Sequence, residues 1–366
     1  MKIQRAKLIN YRNYKSEDFE FREGINFILG NNAQGKTNLL ESIYLACTGR
    51  SFRTNRIKEL FNSGTEPFFV ELKFSDSDDS KFIYLNKENR PSIKVNNFEI
   101  KGRSELFGRF PMILFSPIHL LMVSEGPNKR RKFLDREISL IDKNYFINLL
   151  YYNKYLSSRN KLLREEKFDE RLIEIYEEKL SEYAFKIIKK RIEFTEKLNS
   201  YSQEIHSYFT ENNEKLKITY SEHQNWKNNQ KYDKIIQDYV QKHRENRRRD
   251  IKTKRTNFGP HLHDLNIDID GREIRKFASQ GQLRLSAITI FFSLIPFIEE
   301  ELGKKPIILL DDVFSELDKS RKTKLLEVLD GYQTIITATD LDGVPIKIEN
   351  IKNIIEIENG TLRRQI

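Results

Sequence analysis

The sequence predicts an α/β fold that carries an antiparallel β layer and an inserted helical lobe. Three observations predict it. A short apolar run, Ile25-Asn26-Phe27-Ile28-Leu29, leads through a glycine-bearing loop into a helix with apolar positions Leu39, Leu40 and Ile43. Residues 66 to 101 form short alternating runs. Residues 143 to 210 carry a stripe of apolar residues at spacings near three and four.

Each element has its own justification. The helix after the glycine-bearing loop closes near Gly49. In the β layer, Phe68, Val70, Leu72 and Phe74 share one face, and runs at 81–86 and 92–100 follow, the second broken by Asn96-Asn97. The helical stripe comprises Ile173, Tyr176, Leu180, Ala184, Ile187, Phe194, Leu198, Tyr201, Ile205 and Tyr208, with a polar break at Arg191. It has too few heptads for a protruding coiled-coil arm, so a packed antiparallel lobe is expected. Residues 211–256 are polar and poorly patterned and end in a basic cluster. The α/β texture then returns: a helix from near Ser279, the strand Pro306–Leu310, a helix near 319–330, the strand Thr334–Thr337 and a last strand near 353–357. The domains expected are 1–142 with 257–366, and an inserted lobe at 143–256.

Composition narrows the setting. The chain has 366 residues, 38% of them hydrophobic, enough for a sizeable core. Its net charge of +10 makes a polyanionic partner plausible without proving one. The lone cysteine, Cys47, allows no disulfide framework and fits a reducing, cytoplasmic setting. No apolar h-region follows Met1-Lys2-Ile3-Gln4-Arg5, so no signal peptide is expected. The apolar stretch Ala287–Ile298 is too short to span a bilayer, so no membrane role is expected.

Four motifs carry chemistry. Gly30-Asn31-Asn32-Ala33-Gln34-Gly35-Lys36-Thr37 fits G-x-x-x-x-G-K-[ST] fully, with Asn38 next in line. Glycines let the backbone wrap so that N–H groups face phosphate oxygens. Lys36 adds charge at the β- and γ-phosphates, and the Thr37 hydroxyl is a Mg²⁺ ligand. The helix that starts there points its positive end at the same anion. Ile307-Ile308-Leu309-Leu310-Asp311-Asp312 is a buried strand that delivers two carboxylates; Asp311 would hold Mg²⁺ and Asp312 would polarise the attacking water. Ser279-Gln280-Gly281-Gln282 opens a helix and also reads as an S-x-x-Q capping box. Such a helix start is an anion site that could face the nucleotide of another subunit. Ser315-Glu316-Leu317-Asp318 follows the acidic pair.

Together, S-x-G-Q, the acidic strand and S-x-L-D resemble the ABC-type ATPase set. The long insertion, roughly 270 residues between loop and acidic pair, resembles the SMC-like heads of DNA repair proteins. Asn10-Tyr11-Arg12-Asn13-Tyr14, the loop through Asn38, Arg50-Ser51-Phe52-Arg53, Arg131-Lys132-Phe133-Leu134-Asp135, Thr256-Asn257-Phe258-Gly259-Pro260-His261 and Leu309 to Asp318 are collinear and resemble the RecF family of bacterial recombination proteins. The resemblance implies an ABC/SMC-like P-loop ATPase head, a mixed sheet plus the antiparallel β layer, with the inserted helical lobe. It implies ATP-dependent homodimerisation, binding to DNA at single-strand/duplex junctions, and work with RecR and RecO in loading RecA. By that likeness, Arg12 would sit near the nucleotide, Ser279, Gly281 and Gln282 would complete the partner's site, and Thr337 and Thr339 would lie where transporters place a switch histidine. Two departures stand out. Phe115-Ser116-Pro117 is followed by Ile118-His119 where acidic residues are usual, and Leu262 stands where a basic residue usually follows Gly-Pro-His.

Three basic clusters are candidates for phosphate contact: Arg50, Arg53 and Arg56; Lys129, Arg130, Arg131 and Lys132; and the run from Lys242 that includes Arg247, Arg248, Lys254 and Arg255. His261 and His263 lack the further ligands of a metal site. No aromatic platform for single-stranded bases is evident. A transporter ATPase subunit would have a much shorter spacing between loop and acidic pair, and a nuclease would need an acidic domain after Asp318. Asp312, one methylene shorter than the usual transporter glutamate, and the lack of a built-in arginine finger predict slow turnover.

Overall fold

The computed structural model describes all residues except 63–66, 76–80, 88–89, 167–168, 223–231 and 346–350. Position 66, where the sequence places the start of the β layer, lies outside the described residues. The chain divides into two compact units, 1–120 with 287–366, and 121–286. The second begins earlier and ends later than the 143–256 expected. The helix Pro127–Ile141 packs on the helices that follow it, and Leu265–Ile269 pairs with Leu216–Tyr220, so both belong with the insertion.

The first unit holds two six-stranded sheets. One is antiparallel, in the order Tyr14–Glu20, Lys2–Tyr11, Phe68–Ser75, Lys81–Lys87, Arg90–Val95, Phe98–Glu99. The strand Lys2–Tyr11 has no clean alternation in the sequence, for a local reason. The register shifts between Ile3 and Arg5, so the buried positions pass from Ile3 to Ala6 and Leu8 and the parity changes. The other sheet runs Thr361–Gln365, Asn353–Glu358, Ile25–Leu29, Thr334–Ala338, Ile307–Asp311, Met112–Phe115. All its pairings are parallel except the one at Thr361–Gln365. Ile307–Asp311 and Thr334–Ala338 are buried at every position, as continuous apolar runs in parallel sheets require. The helix Lys36–Thr48 ends at Gly49, whose φ of 69° is left-handed and whose N–H returns to the Leu45 carbonyl.

The second unit is built on helices Pro127–Ile141, Lys143–Leu162, Glu170–Thr210 and Tyr232–Thr253, with a small sheet of Leu216–Tyr220, Leu265–Ile269 and Arg272–Glu273. The 41-residue helix Glu170–Thr210 buries Ile173, Leu180, Ala184, Ile187, Phe194 and Leu198 of the expected stripe; Tyr176, Tyr201 and Ile205 are half-buried, and at the helix end Tyr208 is exposed while Phe209 is buried. Arg191 does not interrupt it. The residue is 2% exposed, and its guanidinium donates to Asp135, the Tyr145 and Tyr220 hydroxyls and the Pro260 carbonyl. A second buried arginine, Arg159, donates to Asp250, Glu177 and Thr256. Such charges persist in an interior when they are paired, although the Nε of Arg159 has no hydrogen-bond partner among the described residues.

One helical stretch, Gln280–Leu302, is long and apolar enough to cross a membrane, and 72% of its apolar window is buried within the fold. It is longer than the 287–298 run read from the sequence, and that burial is the pattern of a core helix.

Candidate nucleotide-binding site

The glycine loop sits between the strand Ile25–Leu29 and the helix Lys36–Thr48, and the acidic strand Ile307–Asp311 lies one strand away in the same sheet. This order brings motifs far apart in sequence to one sheet edge. Thr37 Oγ1 donates to Asp311 Oδ1 at 2.8 Å across 274 residues. Thr337 Oγ1 donates to the same oxygen at 2.8 Å and accepts from the Asp312 N–H at 3.0 Å. Thr337 is thus in contact with both acidic residues, while the Thr339 hydroxyl turns to Asp340.

Asp311 is 7% exposed. Burial pushes its carboxyl up from the ordinary range; the Thr337 and Thr37 hydroxyls pull it back, and Asp312 adds to the rise. Lys36 is also buried, and its ammonium donates to the carbonyls of Gly30 and Asn31. Burial lowers its pKa, opposed by the nearby charges of Asp312 and Asp311. Asp312 is exposed in a left-handed conformation, φ 52°, and starts the short turn Val313–Glu316. In S-x-L-D, Ser315 Oγ donates to the Asp312 carbonyl, and Asp318 caps the helix Lys319–Val328 by accepting from Arg321 N–H. The Glu316 side chain lies outside the described residues.

The loop is braced from outside the motif. Gly35 has φ 122°, and a Cβ there would lie 2.8 Å from Asn13 Nδ2 and 2.9 Å from the Tyr14 hydroxyl. Those side chains hold the loop: Asn13 donates to the Gln34 carbonyl, Tyr14 to the Gly35 carbonyl, and Asn38 to Asn13. The turn Asn359-Gly360 closes the other side, with Gly360 N–H on the Gln34 carbonyl at 2.9 Å and Asn359 N–H on the Gln34 side chain. Nothing in the local sequence marks Asn359 or Gly360 as part of the site, because their partner lies 325 residues away. Ala33 adopts φ 64° within the same loop.

Arg12 is engaged inside the protein at all three guanidinium nitrogens. Nε and Nη2 close on buried Glu41 at 2.8 Å each, and Nη1 donates to the Glu59 carbonyl. Arg53 lies 3.6 Å from Glu41 and donates to Asn38 at 2.7 Å. Glu41, on the loop's own helix, is the centre the sequence reading missed. Ser116 N–H donates to His119 Nδ1 at 3.0 Å, and the His119 ring stacks on Phe291 at 4.7 Å, so His119 of the atypical Ile118-His119 pair has a packing role while Ile118 is exposed.

In the helical unit, Ser279 and Gln282 form the expected capping box. Gln282 Oε1 accepts from Ser279 N–H at 2.9 Å, and Ser279 Oγ accepts from Gln282 N–H at 3.2 Å. Ser279 and Gly281 are exposed.

The basic clusters separate by burial. Arg130 is a correction: it is 3% exposed and bidentate to Asp264 at 2.7 Å on both arms, so it has no arm left for phosphate. Arg131 is half-buried and donates to the His263 carbonyl; burial lowers its pKa. Arg247 pairs with Glu177 and Glu174. Arg248, Lys254 and Arg255 are exposed, as are Arg50, Arg53 and Arg56. Arg50 bonds Asn55, and Arg56 lies 3.6 Å from Glu59. His261 and His263 serve the interior, bonded to Tyr152 and Tyr220. On one face of the helical unit Tyr151 and Tyr155 stack on Tyr183 at 5.3 and 5.8 Å, with Tyr151 44% exposed.

The chain matches the family described as RecF/RecN/SMC N terminal domain over residues 2–362. It is 40% identical to a DNA replication and repair protein RecF of Clostridium acetobutylicum, over 99% of both chains. It belongs to the RecF family. A second relative of the same name, from Clostridium tetani, is 40% identical over 98% of this chain and 99% of its own. Among solved structures, the recombination mediator protein RecF-ATPrS of the RecFOR pathway matches with TM-score 0.90 and 40% identity, over 98% of this chain and 97% of that one. The SMC head bound to the C-winged helix domain of ScpA matches with TM-score 0.58 at 16% identity, over 100% of this chain and 98% of that one, a likeness of fold. The fold is therefore an ABC/SMC-like P-loop ATPase head.

Proposed function

We propose that this chain is an ATP-dependent DNA-binding protein of recombinational repair that closes as a homodimer on ATP. The observation that carries this reading is the meeting of Thr37 and Asp311 at 2.8 Å, which joins the phosphate loop to the acidic strand. A hydroxyl and a carboxylate are hard oxygen donors suited to Mg²⁺. When bound, Mg²⁺ supplies charge neutralisation to the β- and γ-phosphates. Lys36 and the loop N–H groups bind the phosphates, and Asp312, exposed at the strand end, orients the attacking water. Ser279, at a capped and exposed helix start, faces the γ-phosphate in the other protomer. Slow hydrolysis then resets the dimer.

The relatives named for DNA replication and repair, and a solved relative titled as RecF-ATP in the RecFOR pathway, support a cytoplasmic role at single-strand gaps and duplex junctions, with RecO and RecR in the loading of RecA. The exposed Arg50, Arg53, Arg56, Arg248, Lys254 and Arg255 are the phosphate contacts this reading retains.

The test is fluorescence anisotropy of a labelled gapped duplex titrated with the protein under ATP, ADP or no nucleotide. Tight binding with ATP alone, lost in Lys36→Ala and Ser279→Ala, is expected. Equal binding in all three states would mean that nucleotide does not gate DNA. ATP turnover above about 1 s⁻¹, near the lower end of kinase rates, would sink the slow-switch reading.

A further inference from the structure

The capping box extends one step beyond the motif. Gln282 uses Oε1 to accept from Ser279 N–H, so its Nε2 is left to donate, and it donates to Glu214 Oε1 at 2.9 Å. A carboxylate can only accept, whereas an amide accepts at one end and donates at the other. Glu214 therefore decides which end of Gln282 turns toward it, and so which end faces Ser279. The second carboxylate oxygen, Oε2, lies 3.3 Å from Nε2 of His206, a fully buried residue in the last turns of the helix Glu170–Thr210. That helix stops at Glu211 and Asn212, both left-handed with φ 54° and 63°, and Glu214 follows two residues later.

We propose that Glu214 is a positioning residue that holds the Gln282 amide in the orientation seating Ser279, and thereby ties the signature serine to the end of the long helix. This rests on the reading of Ser279 as a contact to the other protomer's nucleotide. A shift of the helix end moves Glu214, releases the amide of Gln282 and unseats the serine. Pairing of protomers then depends on the state of the helical unit, although Glu214 itself touches no nucleotide.

The experiment exchanges the two partners in the full-length chain and reads two quantities. One is the affinity of the monomer for a fluorescent ATP analogue; the other is ATP-dependent dimerisation by analytical ultracentrifugation. Gln282→Glu alone sets two carboxylates against each other and should weaken dimerisation about tenfold, the value of one charge-assisted hydrogen bond. Glu214→Ala should weaken it to a similar degree. The exchange Glu214→Gln with Gln282→Glu rebuilds both bonds, since position 214 then donates and position 282 accepts from both neighbours. It should restore dimerisation to within about twofold of wild type. Monomer affinity for nucleotide should be unchanged throughout. Failure of the exchange to rescue, or wild-type dimerisation in Glu214→Ala while Ser279→Ala is defective, overturns the role of Glu214. Wild-type dimerisation in Ser279→Ala overturns the underlying reading of the serine.

Discussion

Lowering the pH from about 7.5 to about 5 should loosen the helical unit, and His243→Leu should remove a defined share of that loss. His243 lies in the helix Tyr232–Thr253, fully buried, its ring edge-on to Phe258 at 5.2 Å. Neither ring nitrogen has a hydrogen-bond partner among the described residues. Burial, with the positive charge of Arg159 nearby, drives its pKa down from 6.5 to about 3. The folded state therefore holds the ring neutral, while the unfolded chain takes up a proton near 6.5. Between those values the unfolded state carries one more proton, so stability is complete above about 6.5 and falls as pH drops toward 3. At about pH 5 the gap of 1.5 units from the unfolded pKa amounts to about 2 kcal/mol. His263, likewise buried and driven to about 3, adds a similar amount. Hydrogen-exchange protection of the helix Tyr232–Thr253, corrected for intrinsic rates, reads the difference directly. The wild-type chain should lose about 4 kcal/mol from the two histidines, and His243→Leu about half of that. Equal losses in the two proteins would refute the assignment of acid sensitivity to this ring.

Other perturbations follow from the same geometry. Gly30→Ala should abolish ATP binding with the far-UV circular dichroism intact, because a Cβ there would overlap the Ile357 carbonyl at φ 151°. Asp311→Asn should retain nucleotide binding in EDTA and lose hydrolysis by a factor of about 100 or more, measured by phosphate release. The Mg²⁺ requirement of wild type should rise as the pH is lowered toward the raised Asp311 pKa, since a proton then competes for the carboxylate; isothermal titration at several pH values checks it. Arg130→Ala should cost about 3 kcal/mol in urea unfolding, because it strips the Asp264 carboxylate of both guanidinium bonds and leaves it the Leu265 N–H, and should leave the salt dependence of DNA binding unchanged. Loss of Arg248, Lys254 and Arg255 together should flatten that salt dependence, the steeper slope of wild type reporting phosphate contacts.

What the sequence discloses here follows the range over which each signal acts. The phosphate loop and the strand ending at Asp311 are legible because a few adjacent residues determine them. The capping box at Ser279 is legible for the same reason. The helix Tyr232–Thr253 is not: its inward positions include His243 and Asp250, both fully buried, so a polar interior erases the apolar period. Arg191 misleads in the same way, as a charge in the stripe that proves to be a buried centre. The strand Lys2–Tyr11 escapes notice because a register shift breaks its alternation. Charge runs say little about direction: Arg130 and Arg131 are neighbours in sequence, yet one is sealed against Asp264 and the other is half-exposed. Glu41, Asn13 and the Asn359-Gly360 turn reach the site through contacts that no local pattern encodes.

The turn at Asn359-Gly360 gives the nucleotide site a schedule. On a ribosome the chain emerges in order, and Gln34 waits for a partner made more than three hundred residues later. The helical unit, one continuous segment from 121 to 286, can mature while translation continues. The phosphate loop cannot; the wall at Gln34 waits for Asn359 and Gly360 to leave the exit tunnel. A chain that has not yet released Asn359 and Gly360 therefore lacks two of the bonds that fix Gln34.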